Sequence, residues 1–159
     1  MSQDRRDRTF ADLKEGEELK TLRIEVTREH IADFQIFLGH YDREGAFAPT
    51  HDKENFHVDD EFAARNIYGS VVGDGNQTFQ YMIQVVTDSL PWGSLLSGYS
   101  ELDVKFTNPT RIGDTVVTAG RIVEKRVEDG RNYAICEMSA HKQGDVLVGI
   151  GTIKAYVPR

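Results

Sequence analysis

The apolar and polar positions divide the chain into elements of two kinds. LKTLRIEVT alternates as a strand does, and Thr27 at its end is suited to cap a helix. In REHIADFQIFLGH, Ile31, Phe34 and Leu38 recur at helical spacing and Gly39 predicts the stop. A polar stretch over 41–56 follows, broken by Gly45 and Pro49. DDEFAARNIYG reads as a short helix with Asp59 or Asp60 at its positive end, so the acidic cluster there is an exposed helix start. After SVVGDG comes NQTFQYMIQVVTDSL, in which Phe79, Met82, Ile83, Val86 and Leu90 follow the helical period up to Pro91. A helix this apolar has to be surrounded by other structure.

The remainder alternates again. SGYSELDVKFTNP, TVVTAGRIVEKRV, RNYAICEMSAHK and DVLVGIGTIKAYV predict four strands, with Asp129-Gly130 and Gly144-Asp145 as hairpin turns. One strand, helices, one buried helix and a four-strand antiparallel run together suggest a sheet wrapped around the apolar helix. This is the α+β hot-dog layout: a single domain over 1–159, with a helical and loop insertion before the central helix.

Composition narrows the function classes. The chain has 159 residues, 39% hydrophobic and 28% charged, enough for a core without disulfides or metals. A net charge of −7 argues against a nucleic-acid binder, because phosphate neutralisation needs a basic face. Cys136, the sole cysteine, lies in an alternating stretch and reads as a small buried strand residue. No leader-like or membrane-spanning apolar run occurs, so a cytoplasmic location away from membranes is the expectation. The histidines match no common zinc spacing, and no metal is expected.

Two motifs add to this picture. FTNPTRIGDT carries Phe106, Pro109, Gly113, Asp114 and Thr115 in a Phe-x-x-Pro-x-x-x-Gly-Asp-Thr turn, and THDKENFHVD places Asp52 five residues before His57. Together they resemble the MaoC-like dehydratases, the family of (R)-specific enoyl-CoA hydratases, over about residues 10–158. That family's site motif reads Ser/Thr-Gly-Asp-x-Asn-Pro-x-His-x-Asp, with a glycine 18 residues past the His at the start of the buried helix. Thr50, Asp52, His57 and Asp59 fall on its positions, Ala63 and Ala64 on the small pair that follows, and Gly75 on the glycine. The chain departs from the motif at His51, Glu54 and Asn55, and Asp74 stands where a His is frequent. The insertion also lets His40, directly after Gly39, and Asp42 compete with Asp52 for the acid; the kept spacing to His57 favours Asp52.

The resemblance implies a hydratase of 2-enoyl-CoA, or in reverse a dehydratase of 3-hydroxyacyl-CoA. Asp52 and His57 would hold and deprotonate a water, and the Gly75 amide would hold the thioester oxygen. Asp74 would cap the buried helix first of all, or else orient His57 or add to the negative potential. Asn76, Gln77, Gln80 and Gln84 interrupt the apolar helix and would pair across a dimer interface or line an acyl pocket. Thr50, Asp74, Asn76 and Gln80 are thus candidate substrate contacts. Coenzyme A enters as part of the acyl-CoA substrate and no separate cofactor is expected; Lys105, Arg111, Lys125 and Arg126 are cations available to it. The resemblance further implies a homodimer in which two sheets join. Two other readings stand beside it: a hot-dog acyl-CoA thioesterase using Asp74, and a non-catalytic acyl-thioester binder.

Overall fold

The computed structural model describes residues 7–40, 54–96 and 98–158. Five strands, β1 (Leu22–Glu25), β2 (Glu101–Phe106), β3 (Thr115–Glu128), β4 (Arg131–Lys142) and β5 (Val146–Val157), form an antiparallel sheet in the order β1-β3-β4-β5-β2. Three helices precede the meander: α1 (Arg28–Phe37), α2 (Asp60–Arg65) and α3 (Gly75–Ser89). This is the single α+β hot-dog domain that the element order predicts.

Local chemistry sets the boundaries. Thr27 caps α1 by accepting from the His30 amide at 3.1 Å, and Gly39 ends the segment at φ +77°. Asp59 caps α2 by accepting from the Phe62 amide at 2.9 Å, but α2 stops at Arg65, short of the predicted end. Asp129 and Gly130 have φ of 51° and 73°, the left-handed pair that matches the twist of a two-residue hairpin. β3 and β4 are accordingly paired up to Glu128↔Arg131.

The 15 residues of α3 lie against the concave sheet. Met82, Val85, Val86 and Leu90 are buried with Ile122, Cys136, Met138, Val148, Ile153 and Ala155. Each fully buried Val, Leu, Ile or Met side chain among them contributes about 1.5–3 kcal/mol. Gly149 on β5 permits the close approach, since a Cβ there would stand 3.1 Å from both Met82 Cε and Thr78 Cγ2. Cys136 is a buried strand residue, and burial pushes its thiol up to about 12, which leaves it unreactive at neutral pH.

One expected face differs from that observed. On α1 the buried residues are Ile31 and Gln35, whereas Phe34 is half-buried and Leu38 is exposed. On α3 only Gln77 of the four amides is buried; Asn76, Gln80 and Gln84 are exposed. Gln77 is satisfied locally: its Oε1 accepts from the Asp74 amide at 3.3 Å, and its Nε2 donates to the His30 carbonyl at 2.9 Å. Among the described residues, no helix is long and apolar enough to cross a membrane.

Candidate active site

The turn between β2 and β3 is the scaffold of the site. Asp114 accepts from the Arg111 amide at 2.8 Å, from Lys142 Nζ at 3.0 Å and from Gln143 Nε2. Burial opposes ionisation of Asp114, but these hydrogen bonds and the Lys142 charge outweigh it and hold its carboxyl below the usual range. The ordered turn then grips the segment that leads into α3. The Arg111 guanidinium donates to the Tyr68 carbonyl at 2.8 Å and to Ser70 Oγ, and the Gly73 amide donates to the Thr110 carbonyl at 2.9 Å. A Cβ on Gly73 would lie 2.2 Å from Thr110 Oγ1, so the glycine leaves room for that hydroxyl where the two segments meet.

His57 is fixed at both backbone and ring. Its amide donates to Asn55 Oδ1 at 2.8 Å, and its Nδ1 lies 2.8 Å from the Val72 carbonyl. A carbonyl can only accept, so Nδ1 carries the hydrogen and the neutral ring presents a lone pair at Nε2. The Phe56 ring packs on the imidazole at a centroid distance of 4.3 Å. Nε2 points toward Asp74, 3.8 Å from its Oδ2.

Asp74 combines the expected cap with that pairing. Its Oδ1 accepts from the Asn76 amide at 2.9 Å, while its Oδ2 accepts from Gln35 Nε2 at 3.1 Å. Gln35 Oε1 in turn lies 2.6 Å from His40 Nδ1 and 3.2 Å from Asn55 Nδ2. The fully buried Gln35 amide therefore joins α1, the approach to α2 and the start of α3.

Gly75 opens α3. The Asp74 side chain and carbonyl take the Asn76 and Gln77 amides, and among the described residues no acceptor takes the Gly75 amide. A Cβ on Gly75 would stand 3.1–3.2 Å from the Phe106 ring. His57, Asp74 and Gly75 all line one cavity of about 360 Å³, together with Phe56, Tyr68, Gly73, Thr78, Phe106, Pro109, Thr110 and Val148. That volume suits a small organic group.

Of the residues singled out in the sequence, His57, Asp74 and Gly75 are thus brought together. Thr50 and Asp52, like His51 and Asp42, lie outside the described residues. His40, the competing acid, is held against Gln35 rather than in the His57 cavity. Asn76 and Gln80 do not line that cavity either; both are exposed on α3. The four cations are dispersed. Arg111 braces the turn, Lys125 donates to the Leu13 carbonyl at 2.8 Å, Arg126 pairs with Glu124 and Lys105 is exposed on β2. Among the described residues, no group of three or more metal-ligating side chains converges.

Gln35 and Asn55 were not expected as parts of the site. Gln35 follows the buried Ile31 by four residues, one helical turn, which is the signal for a polar side chain on the core face. Asn55 falls where the motif carries proline. Its side chain accepts from the His57 amide and donates to Gln35.

The MaoC-like domain model matches residues 14–141. No curated protein matches the chain by sequence. Among solved structures, the unliganded R-hydratase of Pseudomonas aeruginosa superimposes with a TM-score of 0.74 at 16% identity, over 95% of this chain and 86% of its own. The (R)-hydratase of A. caviae, involved in PHA biosynthesis, gives a TM-score of 0.69 at 17% identity, over 92% and 98%. A truncated 3R-hydroxyacyl-ACP dehydratase complex of Mycobacterium tuberculosis gives 0.64 at 14% identity, over 89% and 94%. With the family model spanning most of its length and the hot-dog sheet wrapped around α3, this chain belongs to the MaoC-like domain family.

Proposed function

We propose that the protein hydrates a 2-enoyl-CoA, or dehydrates the matching 3-hydroxyacyl-CoA. The observation that carries this reading is that His57, its Nδ1 tied to the Val72 carbonyl, and Gly75 at the start of α3 line the same cavity. Hydration needs a base for the attacking water, a proton for the α-carbon and a donor for the thioester oxygen. An imidazole with a carboxylate partner supplies the first two. The Gly75 amide, at the positive end of α3 and without a side chain in the way, supplies the third. One such donor is worth roughly 2.7–4 kcal/mol in other enzymes.

Coenzyme A is the proposed carrier because a −7 surface repels an acidic carrier protein. A homodimer is also proposed. β2 forms an edge of the sheet, with Leu102 and Phe106 exposed on it, and a second β2 edge would cover them. Mass determination in solution should return twice the chain mass.

The function is tested by incubating the protein with trans-2-butenoyl-CoA. Loss of the conjugated thioester absorbance without free thiol is expected. Release of thiol would mean a thioesterase instead, and saturable binding with neither would mean a binding protein.

A further inference from the structure

We infer that Asp74 supplies the carboxylate at the reacting water, the water being held between Asp74 Oδ2 and His57 Nε2; this rests on the hydratase reading above. The argument is one of hydrogen-bond polarity, and it starts from a group whose role is fixed. The backbone amide of His57 can only donate, so the Asn55 atom it meets is Oδ1, and Asn55 presents Nδ2 to Gln35. The Gln35 atom facing Nδ2 is therefore Oε1, which leaves Nε2 to donate to Asp74 Oδ2. Asp74 Oδ1 accepts from the Asn76 amide. Both oxygens of Asp74 are thus acceptors, the pattern of an ionised carboxylate.

The ring of His57 is fixed in the same way from its other side. Its Nδ1–H is spent on the Val72 carbonyl, so the neutral ring offers only an acceptor at Nε2. Two acceptors therefore face each other at 3.8 Å. That separation is beyond a direct hydrogen bond and within reach of one small molecule bonded to both. A molecule with two O–H groups on one oxygen satisfies both acceptors, and that molecule is water. Both side chains line the cavity that also contains the Gly75 amide, with relative exposures of 16% and 12%. His57 is the titratable group that meets Asp74 from the loop; the buried neutral amides of Gln35 and Gln77 meet it from α1 and α3.

The reaction balances on these groups. A lone pair of the water oxygen forms the bond to the β-carbon while one O–H bond breaks, its proton passing to His57 Nε2. Asp74 accepts the other O–H and stabilises the imidazolium. The C=C π pair moves through the α-carbon onto the thioester oxygen, held by the Gly75 amide. The enolate then takes the imidazolium proton at the α-carbon. The net change is addition of one water across the double bond.

Asp74 also caps α3, and the test separates the two roles. Asp74→Asn retains a cap oxygen for the Asn76 amide, since Asn and Asp cap equally well. It turns the other position into a donor, which meets the Gln35 Nε2 donor head-on. Adding Gln35→Glu restores complementarity, because the introduced carboxylate accepts from the introduced amide, from Asn55 and from His40. Expected for D74N is a lower Tm and a loss of kcat/KM on trans-2-butenoyl-CoA of roughly 100-fold or more. Expected for D74N/Q35E is recovery of Tm with kcat/KM still low. Recovery of activity together with Tm, or a D74N enzyme within about threefold of wild type, would overturn the assignment. So would an Asp52→Asn variant that abolishes activity while D74N spares it. A high-resolution crystal structure of the unaltered chain should show a water bonded to both Nε2 and Oδ2; a direct Nε2–Oδ2 hydrogen bond would reject the idea. Failure of the unaltered protein to hydrate the enoyl thioester would instead defeat the functional reading itself.

Discussion

The buried amide of Gln35 on α1 donates to the Asp74 carboxylate at the start of α3 at 3.1 Å. Two helices whose sequences show no relation are thereby tied at the atom that faces His57. Loss of this tie strands several polar groups. Gln35→Leu removes the partner of Asp74 Oδ2, of Asn55 Nδ2 and of the Gln35-facing His40 nitrogen. A buried polar group left unmet costs about 1–3 kcal/mol. A lower urea midpoint with an unchanged m-value should register that loss.

His57→Ala removes the Nε2 lone pair from the cavity. General acid–base groups typically contribute about 10² to 10⁴ in rate. Loss of conjugated-thioester absorbance should slow by that factor, mostly in kcat, while far-UV circular dichroism stays that of the unaltered protein. Retained activity would remove His57 from the mechanism.

Gly75→Ala tests the thioester-oxygen contact. Alanine is tolerated at the first position of a helix, and the Phe106 ring that its Cβ would press at 3.1–3.2 Å has to give by only a few tenths of an ångström. Stability should therefore change little. The methyl group and displaced ring narrow the approach to the amide, so kcat should fall by about tenfold or more, as one weakened donor allows. Comparison of Tm with kcat checks the split.

Gly73→Ala should act on stability first. Its Cβ would lie 2.2 Å from Thr110 Oγ1, which forces the Arg111 turn away from the segment entering α3. Overpacking of this kind costs about 1–3 kcal/mol. Thr110→Ala removes the obstructing atom, so the double variant should recover most of the loss in a double-mutant cycle read by denaturant unfolding.

Asp114 predicts an acid-sensitive turn. Its folded-state carboxyl titrates below the ordinary value of 3.8, so its stabilising effect is fully present above that pH. The effect is lost as the pH falls through the lower folded value. Asp114→Asn should lower the urea midpoint at pH 7, with each lost charge-assisted hydrogen bond worth about 1.5–3 kcal/mol. The gap to the unaltered protein should close as the pH is taken below 3.8 and through the lower folded value.

The sequence by itself determined whatever depends on neighbours along the chain. Thr27, Asp59 and Asp74 were legible as caps because a cap binds an amide two or three residues on. Asp129-Gly130 was legible as a hairpin because left-handed φ is a local demand. Of the positions that follow the helical period along α3 and its C-cap, Met82, Val86 and Leu90 are buried, whereas Phe79 and Ile83 are only half-buried. His57 and Gly75 came from motif spacing, which the fold preserves by bringing both to one cavity. Only the tertiary structure decided the rest. The pattern assigned Phe34 and Leu38 to the core face of α1, where Gln35 is buried instead, because Asp74 and Asn55 meet its amide there. Gln77, Gln80 and Gln84 share a helical face by spacing, yet Gln77 alone is buried, since a helical period gives relative phase but not which side the sheet covers. Asp74 read as a cap is also the acceptor opposite His57. The cap is a contact between chain neighbours, whereas the second role exists only because the Arg111 turn, α1 and α3 bring groups distant in sequence to hydrogen-bonding range.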